Sequence, residues 1–128
     1  FNIDNIKIKF GKNIHLQNSK MNDSTSQVNS DDIITNEYYL AETITIENVI
    51  KKYEINVSEI SLIKVDIEGG EENILNELFD IHINYGIRLY ISFHYSWWKD
   101  KNLDRFELTQ DVKNAIIANP FISLLFDA

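Results

Sequence analysis

From Leu62 the chain reads Leu-Ile-Lys-Val-Asp-Ile-Glu and stops at Gly69-Gly70. A short apolar run rich in β-branched residues, closed by two glycines, predicts a buried strand at roughly 61–67 and a tight turn. Ile74, Leu75, Leu78 and Phe79 then share one face at helical spacing. That spacing predicts a helix from just after Gly70 to about Ile81. Asn84-Tyr85-Gly86 breaks the pattern, and Arg88 to His94 alternates again, with Leu89, Ile91 and Phe93 against Tyr90, Ser92 and His94. The alternation predicts the next strand, leading into the aromatic cluster Tyr95-Ser96-Trp97-Trp98. Asp100 to Arg105 is a polar loop. Thr109 is placed to cap a helix with Val112, Ala115 and Ile116 inside, Pro120 stops it, and Phe121 to Phe126 is a final strand. Strand–helix–strand order from residue 61 favours a βαβ layer over a sandwich.

The earlier part is less regular. Ile6, Ile8 and Phe10 alternate with Lys7 and Lys9, and residues 14–17 alternate again after Gly11-Lys12-Asn13, so residues 3–17 predict two short strands. Residues 18–32 are almost wholly polar and predict an exposed loop of unusual length. Tyr38-Tyr39-Leu40 suggests a strand. Thr45 looks like an N-cap for a helix carrying Ile46, Val49, Ile50 and Tyr53 on one face and stopping near Glu54.

Composition narrows the functional classes. The length suits one small domain or a piece of a larger one, and a 44% apolar fraction is ordinary for a globular protein. A net charge of −8 with scattered basic residues argues against a nucleic-acid surface. Without cysteine there is no disulfide, thiolate nucleophile or thiolate metal site. No apolar stretch reaches membrane-span length and no signal peptide opens the chain, so the expectation is a soluble, cytoplasmic protein without a membrane partner.

The residues 42–50, Glu-Thr-Ile-Thr-Ile-Glu-Asn-Val-Ile, followed by Leu62-Ile63-Lys64-Val65-Asp66-Ile67-Glu68-Gly69-Gly70-Glu71 and then Leu75, resemble the FkbM methyltransferase family. That family has a helix start of the form T-L-D-x-L/I, then a strand–turn–helix of the form L-K-x-D-x-E-G-x-E-x-x-L. A further strand ending in His, as at His94, is also common there. The resemblance covers roughly residues 40–95.

It implies a class I, Rossmann-like α/β fold, a sheet with flanking helices tending to three layers, and S-adenosylmethionine as cofactor. The usual reaction is O-methylation, here of a hydroxyl on a carbohydrate or small metabolite. The sequence departs from the family in three places. No Asp-x-Gly-x-x-x-Gly turn is present to cradle the cofactor, Ser92 stands where an acidic residue usually precedes the strand-end His, and Glu47 replaces the Asp of the helix start. The chain also opens at Phe1. The expectation is a single domain over 1–128 that is the C-terminal portion of a larger methyltransferase domain, its first strands missing, binding the cofactor weakly or not at all. Cofactor-binding residues are not assignable from the motifs present.

Methyl transfer needs alignment above all, and positioning supplies on the order of 7–11 kcal/mol in ideal cases. A general base adds about 10²–10⁴-fold. Ligands of open α/β sheets bind at the carboxyl ends of strands, where Asp66 and His94 both fall. Asp66 is the candidate to orient the acceptor hydroxyl, and His94 the candidate base, since histidine exchanges its proton near neutral pH. Glu68, Tyr95, Trp97 and Trp98 are candidates for the acceptor wall. Each has a plainer reading beside it. Asp66 could bond the amides of the Gly69-Gly70 turn. Glu68 and Glu71 sit near a helix start, where a carboxylate is favoured by roughly 0.3–1 kcal/mol without any function. His94 could be a buried, bonded histidine, and at least one tryptophan is expected to pack the core. A metal site from Asp66, Glu68 and His94 has no further support in the sequence, so no metal is expected. The alternative function is a non-catalytic α/β module that self-associates or completes a partner through an unpaired sheet edge.

Overall fold

The computed structural model describes residues 7–11 and 38–128. The polar loop 18–32 and the second early strand at 14–17 lie outside the described residues. β1 (Lys7–Gly11) pairs antiparallel with β2 (Tyr38–Glu42) as a separate two-stranded sheet. Thus the partner of the first strand comes from beyond residue 37.

Helix α1 (Ile46–Lys52) begins where its cap predicts: Thr45 is extended, and its Oγ1 accepts from the Asn48 backbone N–H at 3.2 Å. The chain then leaves the helix through Glu54 in the left-handed region, φ 51°. Tyr53 does not join the inner face as its spacing predicts. It is 64% exposed, and Ile46 is the residue of this helix that packs on the core.

The central sheet is β3 (Leu62–Val65), β4 (Arg88–Ser92) and β5 (Ser123–Phe126), in the order β3-β4-β5. β3 and β4 are parallel, with Val65 opposite Ile91, and β5 runs antiparallel to β4, with Leu124 opposite Ile91. The crossover between the parallel strands is a 3₁₀ turn, Gly70–Asn73, followed by α2 (Leu75–Tyr85). The regular helix therefore starts and ends about four residues later than its periodicity predicts. Gly86, at φ 65°, ends it by donating its N–H to the His82 carbonyl. Helix α3 (Gln110–Ala118) is capped by Thr109, whose Oγ1 accepts from Val112 N–H at 3.3 Å.

One apolar cluster holds these elements together. Leu75, Leu78 and Phe79 of α2 and Ile116 of α3 bury against Val65, Leu89, Ile91 and Phe93. The period-two pattern of β4 decides which face this is. The same pattern sends Tyr90 outward, beside Leu125 and Lys64 in register, and Tyr90 and Leu125 stay exposed with Leu62. The described residues thus build a mixed α/β arrangement of two layers, not the expected three, because no described helix covers the outer face. No described helix is long and apolar enough to cross a membrane.

Candidate functional site

The turn after β3 is made by two consecutive left-handed residues, Glu68 at φ 55° and Gly69 at φ 96°. A side chain at position 69 would be strained in that conformation, and its Cβ would lie 3.2 Å from Trp97 Cβ. Glu68 holds the same region without glycine's freedom, a strain of the kind that clusters at functional sites. The turn throws Asp66 and Glu68 outward at the carboxyl end of β3, and His94 follows the carboxyl end of the neighbouring β4.

His94 Nε2 lies 3.5 Å from Asp66 Oδ1 and 3.9 Å from Glu68 Oε2. The Asp66 side chain is 47% exposed while His94 is largely enclosed. The imidazole stacks on Trp97, ring centroids 5.1 Å apart and 13° from parallel, and Phe121 meets both rings edge-on. Sequence reasoning missed Phe121, which it placed inside the last strand. β5 starts only at Ser123.

Asp66 does not cap the glycine turn. Gly69 N–H donates to Glu71 Oε2 at 2.9 Å, and Gly70 N–H donates to the Ile67 carbonyl at 3.1 Å. Glu71 is the residue that the sequence reading undervalued. It is fully buried, and its Oε1 accepts from the His94 backbone N–H at 2.5 Å and from Trp98 Nε1–H at 3.0 Å. The strand–turn–helix motif already contained it. A helix-end preference explained it too readily, and nothing in local spacing revealed that the side chain folds inward.

Trp98 is displaced from the acceptor wall to the core. It is 3% exposed and packs against Phe93, Tyr95 and Phe106. Tyr95 bridges the same segment, its hydroxyl donating to the Lys101 carbonyl at 3.0 Å. Trp97, 44% exposed, is the tryptophan left on the surface of the site. The loop beyond is pinned by Glu72, which accepts from Lys99 N–H and pairs with Arg105 Nη2 at 3.1 Å. Ser92 hydrogen-bonds Ser123 Oγ at 2.8 Å across the β4–β5 pair.

Asp66, Glu68 and His94 each present one donor atom within 4.8 Å of the others, the spacing at which side chains can share a small cation or a polar group of a ligand. The donor set suits a positively charged or hydroxylated ligand and opposes an anion. Gly69 and Gly70 back onto Trp97 and Ile67, so these glycines form no cradle for a cofactor.

The methyltransferase FkbM domain matches residues 5–116. The chain belongs to the FkbM methyltransferase family. Family membership brings a Rossmann-like methyltransferase fold and, as the methyl donor that the family uses, S-adenosylmethionine. No curated protein matches the chain, and no solved structure matches it.

Proposed function

We propose that this FkbM domain methylates a hydroxyl of a carbohydrate or other small neutral metabolite, with the acceptor seated against Asp66, Glu68, His94 and Trp97. The observation that carries this reading is the approach of His94 Nε2 to Asp66 Oδ1, 3.5 Å, at the carboxyl ends of two adjacent parallel strands. When bound, S-adenosylmethionine supplies an electrophilic methyl group on a sulfonium sulfur, which takes up the bonding electrons on transfer and leaves as a neutral thioether. The carboxylates of Asp66 and Glu68 fit the positive charge of that donor.

Asp66 orients the acceptor by accepting a hydrogen bond from it. His94 Nε2 takes the hydroxyl proton as the oxygen forms its bond to carbon. Trp97 and Phe121 offer exposed ring surface, 5.4 Å between centroids, to the apolar C–H face of a sugar-like acceptor. Net charge and the paired carboxylates favour a neutral or cationic acceptor over a phosphorylated one.

The test is turnover of labelled S-adenosylmethionine over a panel of neutral glycosides and polyols. Asp66→Asn and His94→Ala should each lower turnover by about 10²–10⁴-fold. Unchanged turnover in both variants would end this assignment of roles.

A second reading, a non-catalytic module that associates with a copy of itself, draws on the exposed outer face of Leu62, Tyr90 and Leu125. Its mark is a dimeric mass in solution that drops to a monomer in Tyr90→Lys/Leu125→Lys, with no methyl transfer to any acceptor.

A further inference from the structure

Among the described residues, Glu71 is the one fully buried charged side chain, and the reaction as drawn above gives it no part. A carboxylate taken out of water is costly unless hydrogen bonds replace its hydration. Here the Gly69, His94 and Trp98 N–H groups do so, tying the turn after β3 to the end of β4 and to the aromatic segment beyond.

One relationship goes further than support. Glu71 Oε1 also lies 3.3 Å from His94 Nδ1, a buried nitrogen with no hydrogen bond of its own. A bare Nδ1 would set its lone pair against a carboxylate oxygen. A protonated Nδ1 would be attracted to it.

We propose that Glu71 is a positioning residue: it holds the imidazole of His94 in the tautomer with hydrogen on Nδ1, leaving Nε2 bare to accept the proton of the acceptor hydroxyl. This rests on the reading of His94 as the proton acceptor.

The competing pull comes from Asp66 and Glu68, which face Nε2 at 3.5 and 3.9 Å. Both are farther away, and both are partly exposed to water, which screens them. Glu71 acts at shorter range from a site without water, where a charge is felt more strongly. Stacking on Trp97 and the Phe121 edge fix the plane of the ring. The Nδ1 contact is close but out of line for a hydrogen bond. Catalytic hydrogen bonds commonly tighten when substrate arrives.

The experiment is ¹⁵N NMR of the imidazole nitrogens in the full chain, at a pH where the rings are neutral. The three histidines are distinguished by loss of one signal pair in His94→Gln. The wild type should show a protonated Nδ1 and an unprotonated Nε2 for His94. Glu71→Gln, which keeps a carbonyl oxygen for Nδ1, should retain that tautomer. Glu71→Met should lose it, moving hydrogen to Nε2, with the amide spectrum reporting that the variant remains folded.

Should Glu71→Met fail to fold, the wild-type and Glu71→Gln spectra still decide. Hydrogen on Nε2 in the wild type overturns the proposal. So does a folded Glu71→Met variant with an unchanged tautomer. No methyl acceptor is needed, so the Nδ1–H tautomer without methyl transfer would count against the proposed reaction and leave the positioning role standing.

Discussion

Glu71 and His94 are joined by a 2.5 Å hydrogen bond from the His94 backbone N–H to Glu71 Oε1, across 23 residues of sequence. The bond fastens the 3₁₀ turn that follows β3 to the second residue beyond the end of β4. The same carboxylate also holds the Gly69 amide, so it ties the turn that follows Asp66 to the backbone of His94. One buried carboxylate thus braces the candidate site that the pairing of β3 with β4 brings together.

Gly69 is the residue of the turn that tolerates change least. Gly69→Ala forces a side chain into the left-handed region and brings its Cβ to 3.2 Å from Trp97 Cβ. The expected loss is about 1–2 kcal/mol from the backbone conformation alone, with more from the crowding. Urea denaturation of the two proteins measures it. An unchanged midpoint would mean that the turn relaxes freely.

The two tryptophans should behave oppositely toward solvent. In Trp97→Phe the remaining Trp98 is 3% exposed and should resist acrylamide quenching. In Trp98→Phe the remaining Trp97 should be quenched readily. The second variant also loses the indole N–H donor to the Glu71 carboxylate. That loss should destabilise by roughly 1.5–3 kcal/mol, the range for a hydrogen bond to a charged group. Equal quenching in both variants would contradict the burial of Trp98 and the exposure of Trp97.

Both helix caps are single-residue tests. Thr45→Ala and Thr109→Ala each remove a hydroxyl that accepts from a first-turn N–H. Each should lower stability by about 1 kcal/mol. Thermal unfolding of the single and double variants checks the size of the effects and their additivity. A cap that contributes nothing would leave the midpoint unmoved.

Cofactor affinity is open to direct titration. The sequence contains no glycine-rich turn of the usual form, and the glycines beside Asp66 are occupied by packing against Trp97 and Ile67. Calorimetry with S-adenosylhomocysteine should give binding weaker than micromolar for this polypeptide, so that turnover needs the methyl donor at high concentration. Micromolar binding would show that a cofactor site exists without that turn and would direct attention to other residues of the chain.

Much of the architecture was legible because it depends on local rules. Alternation at Leu89, Ile91 and Phe93 named the inner face of β4, and all three side chains are buried. Thr45 and Thr109 announced their helices, since a cap is a contact between near neighbours. The strand–turn–helix around Asp66 carried the family. Helix α2 was misjudged at its start because a 3₁₀ turn comes first, and short apolar spacing does not tell the two apart.

What the sequence by itself determined is the order of elements from β3 onward, the sidedness of β4 and the glycine turn, all consequences of periodicity and of backbone conformations that few residues adopt, and, through the motif residues around Asp66, the family. What only the tertiary structure decided is which side chains meet. Trp98 and Trp97 are adjacent in sequence, yet one is sealed in the core and the other stacks on His94 at the surface. Glu71 and Glu72 are adjacent too, yet one carboxylate serves the turn and His94 while the other pairs with Arg105. Neighbouring residues on a turn point in different directions, and their partners arrive from more than twenty residues away. No local pattern encodes that choice, because it is made by the packing of β3, β4 and the aromatic segment against one another.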